Sequence, residues 1–160
     1  MTVAQKITTC LWYDSNGEDA ANFYVSLFDN SRIVNVLRYG DSGPGPKGSA
    51  MVTVFELDGR RFSALNGGPV YKLSPAASLL VECDSQEEVD RLWNSFLDGG
   101  QPQQCGWITD RFGLSWQIVP KAFLEMMQDS DPARVNRVMQ AMMQMVKLEI
   151  APLQKAYDGE

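Results

Sequence analysis

The residues able to do chemistry in this chain are few, and the best placed of them is uncharged. From Cys105 to Pro120 the sequence runs CGWITDRFGLSWQIVP, two apolar runs joined by a turn, with a primary amide, Gln117, in the middle of the second run. An amide there donates and accepts at once, which suits it either to orienting a small organic ligand or to satisfying a neighbouring backbone group or Asn66. Cys105 would be a nucleophile only if a base or a helix N-terminus lowered its thiol pKa. The chain contains no histidine. That removes the usual partner for a reactive thiol, the usual general base near neutral pH and the commonest transition-metal ligand, so a packed thiol is the simpler reading. Glu56, Glu82 and Asp110 remain for acid–base work. Asp110 and Arg111 sit in the turn itself, where an aspartate commonly bonds the backbone.

Composition narrows the function classes. Fourteen basic against twenty acidic residues give a net charge of −6. Phosphate-driven nucleic-acid binding needs clustered Lys and Arg, and no basic run is present. Cys10, Cys83 and Cys105 are an odd number without CxxC or other metal-type spacing, which reads as free thiols in a reducing compartment. The N-terminal segment has no long apolar run followed by a small-residue cleavage site, and no run anywhere approaches membrane-spanning length. A cytoplasmic protein with neither membrane nor nucleic-acid partners is expected. At 160 residues and 44% hydrophobic, the chain suits one domain over 1–160, built on one core or on two small modules.

The elements that must position these groups repeat. Ile7–Tyr13 reads as a strand, and Ser15 with Glu18 forms an S-x-x-E capping box at a helix start. Ala20, Phe23, Tyr24, Leu27 and Phe28 then fall on one helical face. Residues 32–39, 50–57 and 61–66 read as strands, the last two joined through Asp58-Gly59, a hairpin turn pair. Seventy positions after the opening, Ala77–Cys83 is again a strand, Ser85 with Glu88 repeats the box, and Val89, Leu92, Trp93 and Phe96 repeat the stripe. Thr8 then aligns with Ser78 and Ser15 with Ser85, which argues for a duplicated βαβββ module. Module one covers about 5–70, module two about 76–120, and a helical extension about 121–157. The fold class is α+β. In the extension Asp131 before Pro132 suits an N-cap, and Val135, Val138, Met139, Met142, Met143 and Val146 continue an apolar stripe. That stripe packs on the sheet or on a second subunit. Pro152 breaks or restarts the last helix.

Gly43 to Gly48 formally fits G-x-G-x-x-G. Its two prolines remove amides that would hold phosphate, and it precedes a strand where the nucleotide-binding fingerprint requires a helix. It reads as a mobile hairpin loop. No other glycine-rich strand-to-helix turn offers an S-adenosylmethionine site.

Paired βαβββ modules, FY in the first helix and a D-x-x-G turn before the last strand resemble the vicinal oxygen chelate superfamily, which includes glyoxalase I, extradiol dioxygenases and bleomycin-resistance proteins. FSALNGGP (62–69), CDSQEEVDRLW (83–93), CGWITDRFGLSWQIVP and RVMQAMMQMVKLEIAPLQKAY (137–157) are similar to the PhnB-like family, often labelled 3-demethylubiquinone-9 3-methyltransferase. The likeness runs from about Gln5 to Tyr157. It implies a homodimer whose curved mixed sheets enclose a cavity. Superfamily metalloenzymes hold a divalent ion with residues on the first and last strands of each module. Mapping that pattern here gives Thr9, Ala64 (or Asn66, two residues on), Ser78 and Gln117. One amide and two hydroxyls are a poor divalent-ion set, so neither metal nor cofactor is expected. Strand alternation places Thr9 with Leu11, Ala64 with Asn66, Ser78 with Leu80 and Ser115 with Gln117. With Cys105 and Trp107, this describes a small-molecule pocket. The alternatives are a metal-assisted lyase, isomerase or dioxygenase, and a dimeric interaction module.

Overall fold

Asp58 and Gly59 both take positive φ, 49° and 74°, the backbone of a two-residue type I′ turn, and so fold two strands back on each other. Around that hairpin the first of two units is built. A computed structural model describes residues 5–160, and the chain divides after Leu73. Residues 1–4, where the reading of the N-terminal segment begins, lie outside the described ones. Unit 1 comprises β1 (Thr9–Tyr13), α1 (Gly17–Leu27), β2 (Arg32–Arg38), β3 (Ala50–Leu57) and β4 (Arg60–Asn66). Its sheet order is β1-β4-β3-β2, with β1 and β4 parallel and the other pairs antiparallel.

Unit 2 repeats the plan with β5 (Ser78–Cys83), α2 (Gln86–Leu97), β6 (Gln101–Pro102), β7 (Trp107–Thr109) and β8 (Ser115–Pro120). The order β5-β8-β7-β6 and the parallel outer pair match those of unit 1. The two-residue β6 accounts for the shortness of this half. Three helices follow, α3 (Lys121–Met126), α4 (Pro132–Met142) and α5 (Ile150–Asp158). No helix among the described residues is long and apolar enough to cross a membrane.

Each sheet buries one face beneath its helix. In unit 1, Ala20, Ala21 and Tyr24 of α1 are fully buried, as is Phe55 of β3, which stacks on Phe62 at 5.5 Å between ring centres. In unit 2, Val89, Leu92 and Phe96 are fully buried and Phe96 stacks on Trp116 at 4.6 Å. These are the stripes read from the sequence, and aromatic pairs of this kind add to the burial energy.

The two helix starts differ. Ser85 Oγ accepts the Glu88 amide at 3.2 Å while Glu88 Oε2 accepts the Asp84 amide at 2.8 Å, so the second capping box forms. The first does not. The N-cap of α1 is Asn16, without a side-chain cap bond, and Glu18 instead pairs with Arg38 at 2.8 Å. Capping is supplied from outside the helix: Asn66 Oδ1 accepts the Gly17 amide at 2.8 Å, satisfying a donor that a helix start leaves open.

Met126, Val138 and Leu153 form the buried centre of the C-terminal helices, with Phe123, Met127, Met142, Met145 and Tyr157 packed around them. Of the stripe read in α4 and beyond, Val138 and Met142 pack in this cluster. Helix α4 ends at Met142, and Met143 and Val146 beyond it are exposed. Asp131 Oδ1 caps it by accepting the Ala133 amide at 2.9 Å, and Pro152 stands in the first turn of α5.

Candidate functional site

In unit 2 the register sets which side chains meet. Ser78 lies opposite Ser115, Leu80 opposite Gln117, and Trp107 opposite Gln117 on the other side of β8. Trp116 faces α2 through its stack on Phe96, so alternation puts Ser78, Leu80, Trp107, Ser115 and Gln117 on the opposite face of the sheet. On that face Gln117 Nε2 donates to Ser78 Oγ at 2.9 Å. Leu80 is 47% exposed, and Trp107 and Gln117 are half-buried. Four of the expected site residues are thus brought together, and the partner of Gln117 is Ser78, not Asn66.

Unit 1 corrects the expectation for the other half. Leu11 lies opposite Ala64, and both are buried. A Cβ built on Gly17 of α1 would stand 3.2 Å from the Ala64 Cβ and 2.7 Å from Asn66 Oδ1. Leu11, Ala64 and Asn66 therefore belong to the helix-covered face. Thr9 shares their alternation and is exposed. The cause is a one-residue slip, which sends every side chain of a strand to the other face. The repeat offset of seventy matches Ser78 to Thr8 and Leu80 to Cys10. Cys10 lies opposite Ser63 as Leu80 lies opposite Gln117. Ser63 is thus the counterpart of Gln117, and the face away from α1 carries Cys10, Trp12, Ser63 and Leu65. Combining the Thr8–Ser78 alignment with parallel strand pairing would have identified it.

Cys105 is also displaced from its expected strand. It occupies a turn between β6 and β7 at φ 61°, its amide donating to the Met145 carbonyl at 2.8 Å and the Gly106 amide to Val146 at 2.7 Å. Leu148 then fills the space beside Gly106, where a Cβ would approach its Cγ to 2.9 Å. Gln86 locks the same segment, accepting the Ile150 amide at 2.8 Å and donating to the Leu148 carbonyl at 3.1 Å.

The acid–base candidates are engaged elsewhere. Asp110 is buried and accepts from the amides of Phe112 and Leu114 at 2.8 and 3.1 Å and from Trp116 Nε1 at 2.9 Å, which makes it the anchor of its turn. Glu56 accepts from Arg32 and Arg61 at 3.2 and 3.4 Å, and the Arg32 hydrogen bond holds its carboxyl below the usual range. Glu82 is exposed at the end of β5. The Cys83 thiol is pushed up to about 12, chiefly by burial, and is no nucleophile.

With the register corrected, the positions where the superfamily would hold a divalent ion carry Thr8, Ser63, Ser78 and Gln117. Three neutral hydroxyls and one amide do not fit such an ion, which is held by carboxylate, imidazole or thiolate donors. Among the described residues no three of His, Cys, Asp and Glu converge on one point.

The model of the family described as 3-demethylubiquinone-9 3-methyltransferase matches residues 5–119. The chain belongs to that family. A PhnB protein from Bacillus cereus is 35% identical over 72% of this chain and 99% of its own, with a TM-score of 0.68. Protein PA1353 from Pseudomonas aeruginosa is 25% identical over 73% of this chain and 98% of its own, with a TM-score of 0.61. A glyoxalase/bleomycin resistance protein from Albidiferax ferrireducens aligns at 12% identity over 73% of this chain and 99% of its own, with a TM-score of 0.48. Comparison with curated proteins gives no match. The family match ends at Val119. Helices α3 to α5, and with them the 137–157 stretch, lie beyond it.

Proposed function

We propose that this PhnB-like protein binds a small organic molecule, without a metal ion, on the face of its second sheet that α2 does not cover, acting in the cytoplasm as a homodimer. The observation that carries the reading is the Gln117–Ser78 hydrogen bond on a sheet face that α2 does not cover, beside Leu80 and Trp107. An oriented amide and hydroxyl among apolar neighbours is the composition of a small-molecule site. In unit 1 the sheet face away from α1 carries Cys10, Ser63 and Leu65, a comparable mixture of apolar and neutral polar side chains. The three free cysteines suit a reducing compartment. The methyl transfer named in the family description finds no support in Gly43–Gly48. That stretch closes the β2–β3 connection, with the Gly48 amide on the Tyr39 carbonyl at 2.8 Å.

A thermal-shift screen of small organic compounds against wild-type protein and Gln117→Leu tests this. Compounds that raise Tm in the wild type are expected to lose most of that effect in the variant. Absence of any stabilising compound, with a high-resolution structure showing side chains filling the space beside Gln117, would end the proposal. Metal analysis of protein purified without chelators is expected to find substoichiometric metal.

A further inference from the structure

We infer that the Gln117 face selects uncharged ligands with a hydrogen-bonding head group, such as a carboxamide, and discriminates against carboxylates and phosphonates. The inference rests on the proposed binding function and assigns its ligand class. The strands of unit 2 contain neither lysine nor arginine, and their one acid is Glu82 at the α2 end of β5. On the uncovered face of unit 1, Arg32 and Arg61 are both committed to Glu56. An anion brought to either face would lose hydration and find, among the described strand residues there, only cations already paired with Glu56, a cost that no neutral donor set fully offsets.

The polar groups that are present point to a head that both gives and takes a hydrogen bond. Gln117 uses Nε2 on Ser78, which leaves its Oε1 as an acceptor. Ser115 lies beside it on the same face, 1% exposed, with an Oγ that has no hydrogen-bond partner. A buried hydroxyl without a protein partner is costly to a folded chain and calls for one, from a water or a ligand; Thr53 Oγ1 in unit 1 shares this state. Ser115 as donor and Gln117 Oε1 as acceptor match the C=O and N–H of one carboxamide. A carboxylate would set oxygen lone pairs against Oε1. Reversing the Gln117 amide would relieve that contact and still supply no positive charge.

Isothermal titration with two matched pairs, benzamide against benzoate and phenylacetamide against phenylacetate, separates the possibilities at neutral pH. Each amide is expected to bind at least about tenfold tighter than its acid, the scale of one satisfied hydrogen bond. Ser115→Ala is expected to raise Tm while weakening benzamide several-fold, a combination that loss of structure does not produce. Gln117→Lys is expected to reverse the preference toward the acids. Acids binding as tightly as the amides in the wild type would overturn this inference and leave the binding function standing. No binding by either pair, with no hit in the compound screen, would overturn both.

Discussion

Asn66 Oδ1 accepts the Gly17 amide at 2.8 Å, so the end of β4 caps the helix that covers it. The same side chain donates to the Ser15 and Ala50 carbonyls at 3.1 and 3.0 Å, and the Asn66 backbone carbonyl accepts from Tyr39 Oη at 2.8 Å. One amide thus ties α1, β3 and β4 together. Asn66→Ala is expected to cost about 1–3 kcal/mol, the range for a lost cap and unsatisfied backbone groups. Asn66→Asp keeps the acceptor, at the positive end of the α1 dipole, and loses both donors, so an intermediate loss is expected. Urea denaturation of both variants checks the order. Loss of ligand binding without loss of stability would place Asn66 in the site after all.

Asp110 offers a parallel case. Its three accepted bonds close the Phe112–Leu114 turn and hold the Trp116 indole. Asp110→Ala leaves buried N–H groups without partners and is expected to destabilise the protein by about 1–3 kcal/mol per group stranded. Asp110→Asn retains one acceptor oxygen and is expected to lose less. If Asp110 were instead a general acid or base, Asp110→Asn would abolish function at nearly unchanged Tm.

How far the sequence carries the fold is plain from the two helix starts. Ser85 accepts the Glu88 amide as their spacing predicts, and the Glu88 carboxylate reaches back one residue further, to the Asp84 amide. Ser15 and Glu18 have the same spacing, yet Asn66, forty-nine residues beyond Gly17, takes the amide and Arg38 takes the carboxylate. Local pattern reports which groups need partners, and long-range packing decides who supplies them. The site shows the same division. That Ser78, Leu80, Trp107 and Gln117 share one face follows from period-two alternation about Gln117 and the pairing of β5 and β7 with β8. Leu11 and Ala64 lie on the helix-covered face, contrary to the expectation, because an apolar residue reads alike whether it meets a ligand or a helix, and Asn66 follows them by alternation; the Cys10–Ser63 pairing distinguishes the two faces. Cys105 could not be read as a turn residue, since its turn is held by carbonyls of Met145 and Val146, forty residues on.

Phe96 and Trp116 stack at 4.6 Å with both residues buried, and this pair holds α2 on the back of the strand that carries Gln117. Phe96→Ala is expected to cost about 3–5 kcal/mol, the range for deleting a buried ring. Near-ultraviolet circular dichroism is expected to show a diminished tryptophan signal. A loss under 1 kcal/mol would mean that the α2 interface repacks without the ring.

Among the C-terminal helices, Tyr157 Oη donates to Asp129 Oδ2. That bond is the largest cause of a carboxyl pKa below the usual range, followed by the Asp131 amide, with Arg134 adding attraction. A lowered acid pKa stabilises the fold above the unfolded carboxylate range and is lost as pH falls through the folded value. Tyr157→Phe is expected to raise the Asp129 pKa toward its ordinary 3.8 and to flatten the acid limb of the stability curve. Carboxyl-detected NMR titration checks the shift, and an unchanged Asp129 titration would show that Arg134 and the backbone suffice.

The thiols give the opposite sign. Cys83 is fully buried, and its pKa is pushed up to about 12 from an ordinary 9.0, first by burial and then by the charge of Glu88. The folded state therefore keeps its proton where the unfolded state ionises. Stability from this group is complete below pH 9 and is lost as pH rises toward 12, because the unfolded chain binds fewer protons across that window. Cys83→Ala is expected to lose stability at pH 7 through its cavity and to show a flatter decline above pH 9 than the wild type. Labelling with a disulfide reagent at pH 8 supplies the second readout. Cys10, which is exposed, is expected to react at once and Cys83 only on unfolding. Rapid labelling of Cys83 in the native protein would show that β5 opens without global unfolding, and would place the strand beneath the Gln117 face among the least stable parts of the fold.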